Sequence, residues 1–217
     1  MPFIESISMK HPLKLKIALQ DLPHKCERTL LVPEDCTMLQ LHFIIQESFG
    51  WMNAHLFEFS DAKGRATMRV GIPDDFDDFG GPEMLGAHEV LLKDSILFKN
   101  GAKPFWYWYD FGDDWWHKIS FLKATQKEIE AFTGIPYCMD AVGKCPPEDV
   151  GGPWGYANFL EVIKNQKHPE HKELRKWYGL EPGEIYAENE VSIAEINQYL
   201  EDLFNSENWE SNEYELF

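Results

Sequence analysis

A run of aromatic residues near the middle of the chain is interrupted by acids and ends on a histidine. It reads W-Y-W-Y-D-F-G-D-D-W-W-H over residues 106–117. If two strands and a tight turn form here, alternation places Trp106, Trp108 and Asp110 on one face. The turn then brings Asp110, Asp113 and His117 to one end of an aromatic surface. Carboxylate oxygens together with an imidazole are suitable ligands for Mn²⁺, Fe²⁺ or Zn²⁺.

A second segment whose side chains are suited to catalysis or metal binding is the loop C-P-P-E-D-V-G-G, which starts at Cys145. Its two prolines and two glycines exclude regular structure, and Pro153 favours the start of a helix directly afterwards. The loop therefore delivers Glu148 and Asp149 to the beginning of a helix. These acids can be metal ligands or a general acid and base, or only charges that favour the helix dipole.

Two sets of candidate residues follow, and a structural alternative stands beside both. The candidate ligands of a divalent metal ion are His55, Asp110, Asp113, His117 and Glu148. The candidate binding surface combines aromatic and acidic side chains: Trp106, Trp108, Asp110, Asp113, Trp115, Glu148 and Asp149. In the alternative, the aspartates and glycine only build a tight turn, and the aromatic residues pack in the core.

Alternating and helical patterns predict the elements that position these residues. Apolar and polar residues alternate over 13–20, which predicts a strand, and 26–32 predicts its antiparallel neighbour. A capping box at Thr37 opens a helix that Gly50 ends. Further strands are predicted at 55–59, 65–70, 105–109 and 115–122, and further helices at 90–98, 126–132, 154–165, 168–179 and from 193 onwards.

Strands dominate up to about residue 122 and helices dominate after it, which predicts an α+β fold. We expect an antiparallel or mixed sheet with helices packed on one side, in a single compact domain. The domain is predicted to span residues 1–205, and 206–217 to form a frayed acidic tail. An acidic loop is predicted at 71–87, which lacks the ligand register of an EF-hand.

The formal charge of the chain is −17, from 20 Lys and Arg against 37 Asp and Glu. Residues 177–217 contain 11 of these acids and no Lys or Arg. This balance argues against direct nucleic-acid binding, which requires basic side chains to displace counterions. We expect an unidentified protein or small molecule as the partner, and the charge favours a cation or a basic protein.

The apolar runs and the cysteines predict the compartment. No apolar run exceeds five residues, and the first residues lack a basic segment followed by an apolar one. We therefore expect neither a membrane-spanning helix nor a signal peptide. The four cysteines contain no C-x-x-C pair and are too few for a disulfide scaffold. Together these features predict a cytoplasmic protein with reduced thiols.

Several motifs together resemble one known family. They are F-G-W-M-N-A-H-L at 49–56, Y-x-Y-D-F-G-D-x-W-x-H at 107–117 and C-P-P-E-D-x-G-G-x-x-G-Y at 145–156. On these residues the chain resembles the family named for the third open reading frame of an Ri plasmid, also labelled a TnpR-type passenger of insertion elements. The resemblance implies an α+β domain without an established activity. Two departures are an apparent insertion at 125–135 and Val150, where a second cysteine is often found.

Two functional hypotheses remain open from the sequence. The first is a cytoplasmic binding domain that uses the aromatic and acidic surface around Trp108, with a link to plasmids or mobile elements implied by the resemblance. The second is a metal-dependent hydrolase that acts on phosphodiester or nucleotide substrates through the five candidate ligands of a divalent metal ion.

Overall fold

Eight strands form one mixed sheet in the computed structural model, which describes residues 11–73, 82–95, 97 and 103–211. Across the sheet the strands lie in the order β5-β4-β3-β6-β7-β1-β2-β8. All neighbours are antiparallel except β4 and β5, which are parallel. The strands are β1 (Pro12–Leu19), β2 (Cys26–Pro33), β3 (Phe57–Ser60), β4 (Arg69–Gly71), β5 (Met84–Gly86), β6 (Phe105–Tyr109), β7 (Trp115–Leu122) and β8 (Tyr137–Val142).

Helices complete the domain and confirm the predicted α+β class. Thr37 and Gln40 form the predicted capping box at the start of α1, and Gly50 ends that helix with a φ of 82°. Within the segment 90–98, which was predicted as a helix, Leu92–Asp94 form a 3-10 turn, and residues 96 and 98 lie outside the described residues. The helices are α1 (Met38–Phe49), α2 (Gln126–Ala131), α3 (Gly152–Lys164), α4 (His171–Tyr178), α5 (Ile193–Phe204) and α6 (Glu207–Ser211).

The main core lies between one face of the sheet and helices α1 and α5. Leu15 and Ile17 point into it from β1 and are fully buried, because alternate residues of a strand face the same side. Lys14 points to the opposite face and makes an ion pair with Glu128 of α2. This ion pair anchors the predicted insertion at 125–135 against the sheet.

The same alternation divides the aromatic residues of the β6–β7 hairpin. Tyr107 and Tyr109 are fully buried on the core face, whereas Trp108 lies on the opposite face and stacks on Trp116 at 4.9 Å between ring centroids. Trp115 pairs with Tyr109 across the hairpin and is fully buried. The predicted surface of Trp106, Trp108 and Trp115 is therefore split between two faces of the sheet.

A buried polar network connects α1 to the segment that follows it. The Gln46 side chain accepts a hydrogen bond from the Asn53 N–H (2.9 Å) and donates one to the Tyr107 hydroxyl (2.9 Å). His42 lies 2.8 Å from the same hydroxyl through Nδ1 and 2.5 Å from Asn53 Oδ1 through Nε2. Burial lowers the pKa of His42 to about 3, so its imidazole is neutral. The network fixes the chain just before His55.

Some predicted segments lie partly or wholly outside the described residues. These include residues 74–81 of the acidic loop at 71–87 and the end of the tail at 212–217. Within the tail predicted at 206–217, residues 207–211 are helical, so the division after residue 205 stays a prediction. None of the helices in the described parts of the chain has the length and apolar character needed to cross a bilayer.

Replacing Gln46 by leucine tests the polar network. Gln46→Leu removes the acceptor for the Asn53 N–H and the donor to the Tyr107 hydroxyl within the core. We expect the free energy of unfolding to fall by about 2 to 4 kcal/mol, measured by urea denaturation. Gln198→Leu, on the exposed side of α5, is the matched control and should change it by less than about 0.5 kcal/mol. Equal effects of the two variants would contradict a structural role for the network.

Candidate metal centre

Four side chains from three separate segments meet beside the ends of the central strands β3 and β6. His55 precedes β3, Asp110 follows β6, and Glu148 and Asp149 precede α3. The His55 Nε2 atom lies 3.6 Å from Asp110 Oδ2, 3.9 Å from Glu148 Oε2 and 3.2 Å from Asp149 Oδ1. Ligand atoms of His55, Asp110 and Asp149 lie within 4.8 Å of one another. Ligand atoms at such separations can share one cation through bonds of about 2.1 Å.

Two of these carboxylates are fixed in the same way. Asp110 Oδ1 accepts hydrogen bonds from the backbone N–H groups of Gly112 (2.9 Å) and Asp113 (3.2 Å). Glu148 Oε1 accepts hydrogen bonds from the Met52 N–H (2.9 Å) and the Tyr109 hydroxyl (3.0 Å). In each acid the second oxygen is directed towards His55. Metal ligands are commonly oriented by such outer hydrogen bonds.

The second oxygen of Glu148 is buried and lacks a hydrogen bond. The Glu148 side chain is 8% exposed, and among the described residues Oε2 has no hydrogen-bond partner. Desolvation raises the pKa of this carboxyl group, although the Met52 N–H and the Tyr109 hydroxyl oppose the shift. A buried carboxylate oxygen without a donor is costly unless a cation accompanies it.

Tyr109 connects two of the converging segments. Its hydroxyl accepts a hydrogen bond from the Ala54 N–H (3.1 Å) and donates one to Glu148. Burial, with a further contribution from the Glu148 charge, raises the pKa of Tyr109 far above its usual value, so it remains a donor. Trp51 stacks on Tyr109 at 4.8 Å and donates through Nε1 to the Pro146 carbonyl oxygen (3.1 Å). Both contacts hold the loop at 145–149 against the end of β6.

Asp113 holds the same loop from the other side. Asp113 Oδ2 accepts a hydrogen bond from the Gly151 N–H at 3.0 Å. The Asp113 carbonyl oxygen lies so close to Gly152 that an added Cβ atom would stand only 2.3 Å from it. Gly152 has a φ of 69° and therefore also suits the left-handed backbone at this point. Asp113 thus positions the loop and does not face His55.

The backbone at two ligand candidates is itself unusual. Asp110 has a φ of 52° and Asp149 a φ of 56°, which is the left-handed region. Aspartate tolerates this region better than most residues, but at some energetic cost. At Asp110 this conformation ends the alternation of β6. Its carboxylate therefore turns towards His55 and does not continue the row of Trp106 and Trp108.

The structure brings together three of the five residues predicted as metal ligands, namely His55, Asp110 and Glu148. It adds Asp149, which the sequence placed on the binding surface and, with Glu148, named as an acid of the loop that can bind a metal. His117 lies elsewhere, fully buried against Trp51, with Nδ1 3.3 Å from the Tyr107 carbonyl oxygen. Burial lowers the pKa of His117 to about 3. The alternation of β7 turns the His117 side chain inward, and burial there keeps its imidazole neutral.

Sequence reasoning missed the role of Tyr109, although the signal was present. Tyr109 alternates with Trp108, so a strand ending at residue 109 had to turn its hydroxyl inward beside the turn. What the pattern did not contain was the partner, since Glu148 lies 39 residues further along the chain.

The charge of the centre favours a cation. Three carboxylates surround one imidazole, so even a protonated His55 leaves a formal charge of −2 (three negative, one positive). A divalent ion would neutralise this charge and fill the space that the directed oxygens share.

A cavity of about 370 Å³ opens on the outer side of the centre at Asp149. Its walls are partly apolar, from Phe159, Leu174 and Trp177, and partly acidic, from Glu170 and Glu173. No Lys or Arg is among its lining residues in the described part of the chain. The volume suits a small molecule, and the charge disfavours a polyanion.

The fold and this site define an α+β protein in which two loops and a strand end form a candidate metal centre. A crystal structure of a protein of unknown function, MM3350 from Methanosarcina mazei Go1, has a similar fold. The TM-score is 0.68 with 27% identity, over 86% of this chain and 96% of that one. An uncharacterised protein, y4hQ of Sinorhizobium fredii, is 35% identical over 192 residues, which are 88% of this chain and 91% of that protein.

The family is shown directly. Residues 11–195 match the family described as plasmid pRiA4b ORF-3-like protein. The chain therefore belongs to the plasmid pRiA4b ORF-3-like family, which confirms the resemblance predicted from the motifs at 49–56, 107–117 and 145–156.

Gly152→Ala tests the close approach of the loop to Asp113. Alanine at a positive φ costs about 1 to 2 kcal/mol by itself, and here its Cβ atom would also meet the Asp113 carbonyl oxygen. We expect the free energy of unfolding to fall by at least about 2 kcal/mol more than in Gly64→Ala. Gly64 is the matched control, because it has a φ of 88° and nothing within 4 Å of an added Cβ atom.

Amide hydrogen exchange supplies the second readout for Gly152→Ala. The Gly151 N–H should exchange faster in this variant than in the parent protein or in Gly64→Ala, since its bond to Asp113 is broken. Equal losses of stability in the two variants, with unchanged exchange at Gly151, would show that the loop is not held by this contact.

Glu148→Gln tests the burial of the unpaired carboxylate in metal-free protein. The pKa of Glu148 is raised on folding, so the unfolded chain loses this proton at lower pH than the folded protein. Native stability due to this group is complete below the unfolded pKa and falls as the pH rises to the folded pKa. Glutamine does not ionise, so the variant should gain stability relative to the parent as the pH rises above the unfolded pKa of about 4.

Urea denaturation in chelator across this pH range measures the difference. Glu161→Gln, at an exposed position on α3, is the control and should show a difference that does not change with pH. A difference for Glu148→Gln that stays flat, or that falls with rising pH, would contradict the burial of an ionisable oxygen at this site.

Proposed function

We propose that the chain binds one divalent transition-metal ion through His55, Asp110, Glu148 and Asp149 and uses it to hydrolyse a small substrate. The observation that carries the proposal is that the carboxylates of Asp110 and Glu148 are held in the same way. Each has one oxygen held by two hydrogen-bond donors and the other directed at His55 Nε2. This is the arrangement expected of preorganised ligands. The bonds to Asp110 come from its own turn, whereas those to Glu148 come from residues far away in the chain.

The ligand types suit Mn²⁺, Fe²⁺ or Zn²⁺, since they combine one imidazole nitrogen with hard carboxylate oxygens. Such an ion supplies a Lewis acid and lowers the pKa of a bound water molecule. The side chains divide the remaining work: Asp110 and Glu148 are fixed ligands, whereas Asp149 is 71% exposed and borders the cavity. Asp149 is thus the ligand best placed to yield a position to substrate or water.

The cavity beside Asp149 indicates the substrate. Its acids and the absence of a lining base disfavour the phosphodiester or nucleotide substrates predicted from sequence. Its apolar wall and its size favour a small neutral or cationic ester or amide. Substrates of this kind and a phosphodiester are therefore compared in the activity test below.

A binding domain without catalysis is the second candidate. It is favoured by the stacked pair of Trp108 and Trp116 and by Phe111. The ring centroid of Phe111 lies 4.2 Å from that of Trp108, and the Phe111 side chain is 40% exposed. A partner protein could contact this aromatic group next to the metal centre. A link to plasmids or mobile elements rests on the family resemblance alone.

Metal binding is the first experimental test. Chelator-treated protein should bind one Mn²⁺ per chain, measured by electron paramagnetic resonance of free Mn²⁺ and by calorimetry. His55→Ala and Asp110→Asn should each weaken binding by about 100-fold or more, because each removes a direct ligand. Asp114→Asn is the matched control within the same turn, since Asp114 accepts from Trp116 Nε1 and does not face His55.

Activity is the second test and separates the two candidates. Metal-loaded protein should hydrolyse at least one compound from a panel of neutral and cationic esters and amides, and hydrolyse it faster than a phosphodiester of similar size. Asp110→Asn should remove that activity. Binding of Mn²⁺ with no turnover of any panel member would favour the binding domain. No binding of Mn²⁺ or Zn²⁺, or equal binding by the parent and His55→Ala, would refute the metal centre.

A further inference from the structure

A buried arginine lies beside two thiols, away from the residues proposed as metal ligands. Arg28 is 2% exposed. Its guanidinium donates four hydrogen bonds to backbone carbonyl oxygens, those of Glu27, Ser48, Val142 and Gly143. Within the described residues it forms no ion pair with a carboxylate. A buried guanidinium normally requires a negative partner, and a thiolate at a neighbouring sulfur atom would supply that charge.

The two thiols are Cys26 and Cys145, and their side chains are hydrogen-bonded to each other. Cys26 is fully buried at the start of β2, with its sulfur 3.7 Å from the Gly143 carbonyl oxygen. Cys145 is 9% exposed and, with Arg28, forms part of the wall of a cavity of about 410 Å³. The pair is therefore in contact and can be reached from solvent on the Cys145 side.

The surroundings make Cys26 more reactive than an ordinary buried thiol. The hydrogen bond from Cys145 and the charge of Arg28 lower the pKa of Cys26, although burial opposes the shift. Burial raises the pKa of Cys145. Cys138 has no such hydrogen bond from a thiol, and burial raises its pKa to about 11. A thiolate is the nucleophile in disulfide exchange, so Cys26 is suited to complete a disulfide and Cys138 is not.

We propose that Cys26 and Cys145 form a reversible disulfide with each other when the chain meets a low-molecular-weight disulfide such as oxidised glutathione. Cys145, which lines the cavity, attacks through its sulfur one sulfur of the external disulfide and expels the other as a thiol. Cys26 then attacks the Cys145 sulfur and expels the second thiol. The protein loses two electrons and two protons, and two molecules of reduced glutathione receive them.

The disulfide would act on the candidate metal centre through the chain. Cys145 is joined to Glu148 by Pro146 and Pro147, whose fixed φ angles make a stiff connection. A covalent bond draws Cys145 towards Cys26 and displaces the Glu148 oxygen that faces His55. We therefore expect the oxidised protein to bind Mn²⁺ about 10-fold more weakly. This effect rests on the proposed metal centre, whereas formation of the disulfide does not.

The test uses the full chain equilibrated with oxidised and reduced glutathione at several ratios. Remaining thiols are alkylated in denaturant, and the protein is analysed by intact mass and peptide mapping. We expect two thiols to be lost together and a single cross-linked peptide pair containing Cys26 and Cys145. Cys36 and Cys138 should stay reduced and therefore be found alkylated, and reduced glutathione should restore all four thiols.

Two variants complete the design. Cys26→Ser should stop at a glutathione adduct on Cys145, because the second thiol is missing, and Cys138→Ser should oxidise like the parent protein. Full alkylation of Cys26 and Cys145 in oxidised glutathione alone would overturn the proposal, as would a disulfide to another cysteine. If the disulfide forms but neither redox state binds Mn²⁺, the thiol pair stands and the metal centre fails.

Discussion

The Tyr109 hydroxyl joins the segment that carries His55 to the loop that carries Glu148. It accepts from the Ala54 N–H and donates to the Glu148 carboxylate, and both bonds are protected by the aromatic core around Trp51. The Met52 N–H and the Trp51 indole also bond directly to the loop, and Tyr109 ties both segments to the end of β6. The position of the hydroxyl follows from the strand itself, since alternation along β6 must turn Tyr109 inward.

The centre depends on a second set of constraints in the turn after β6. A left-handed backbone at Asp110 ends the strand and turns one carboxylate oxygen towards two backbone N–H groups. Asp113 then holds the Gly151 N–H, and Gly152 lets the two backbones approach. Conformational strain, a buried carboxylate and a concentration of negative charge meet at one place. Proteins retain such costs mainly at functional sites.

Local rules predicted much of the fold from the sequence. Alternation predicted β1, and β2, β6 and β7 were also predicted within a residue of their ends. The capping box at Thr37 and Gly50 predicted α1 within a residue at each end. β8 escaped prediction because its alternation is short and follows a loop with a glycine and a proline. It is placed by pairing with β2, which is a long-range effect that no local pattern contains.

The site was predictable in its parts and not in its assembly. The sequence identified His55, Asp110, Glu148 and Asp149 as chemically relevant, but their meeting depends on contacts between residues far apart in the chain. His117 and Trp115 were misplaced for a physical reason. A hairpin brings residues close in sequence to opposite faces of the sheet, so nearness to Asp110 along the chain did not place them beside it.

The most direct test of the central claim is a crystal structure of the protein soaked with Mn²⁺, with an anomalous difference map calculated at a wavelength where manganese scatters. We expect one strong peak within about 2.3 Å of His55 Nε2, Asp110 Oδ2 and Glu148 Oε2, with Asp149 on the solvent-exposed side of the ion. A map with no peak between these atoms, or with manganese bound only at other carboxylates, would contradict it.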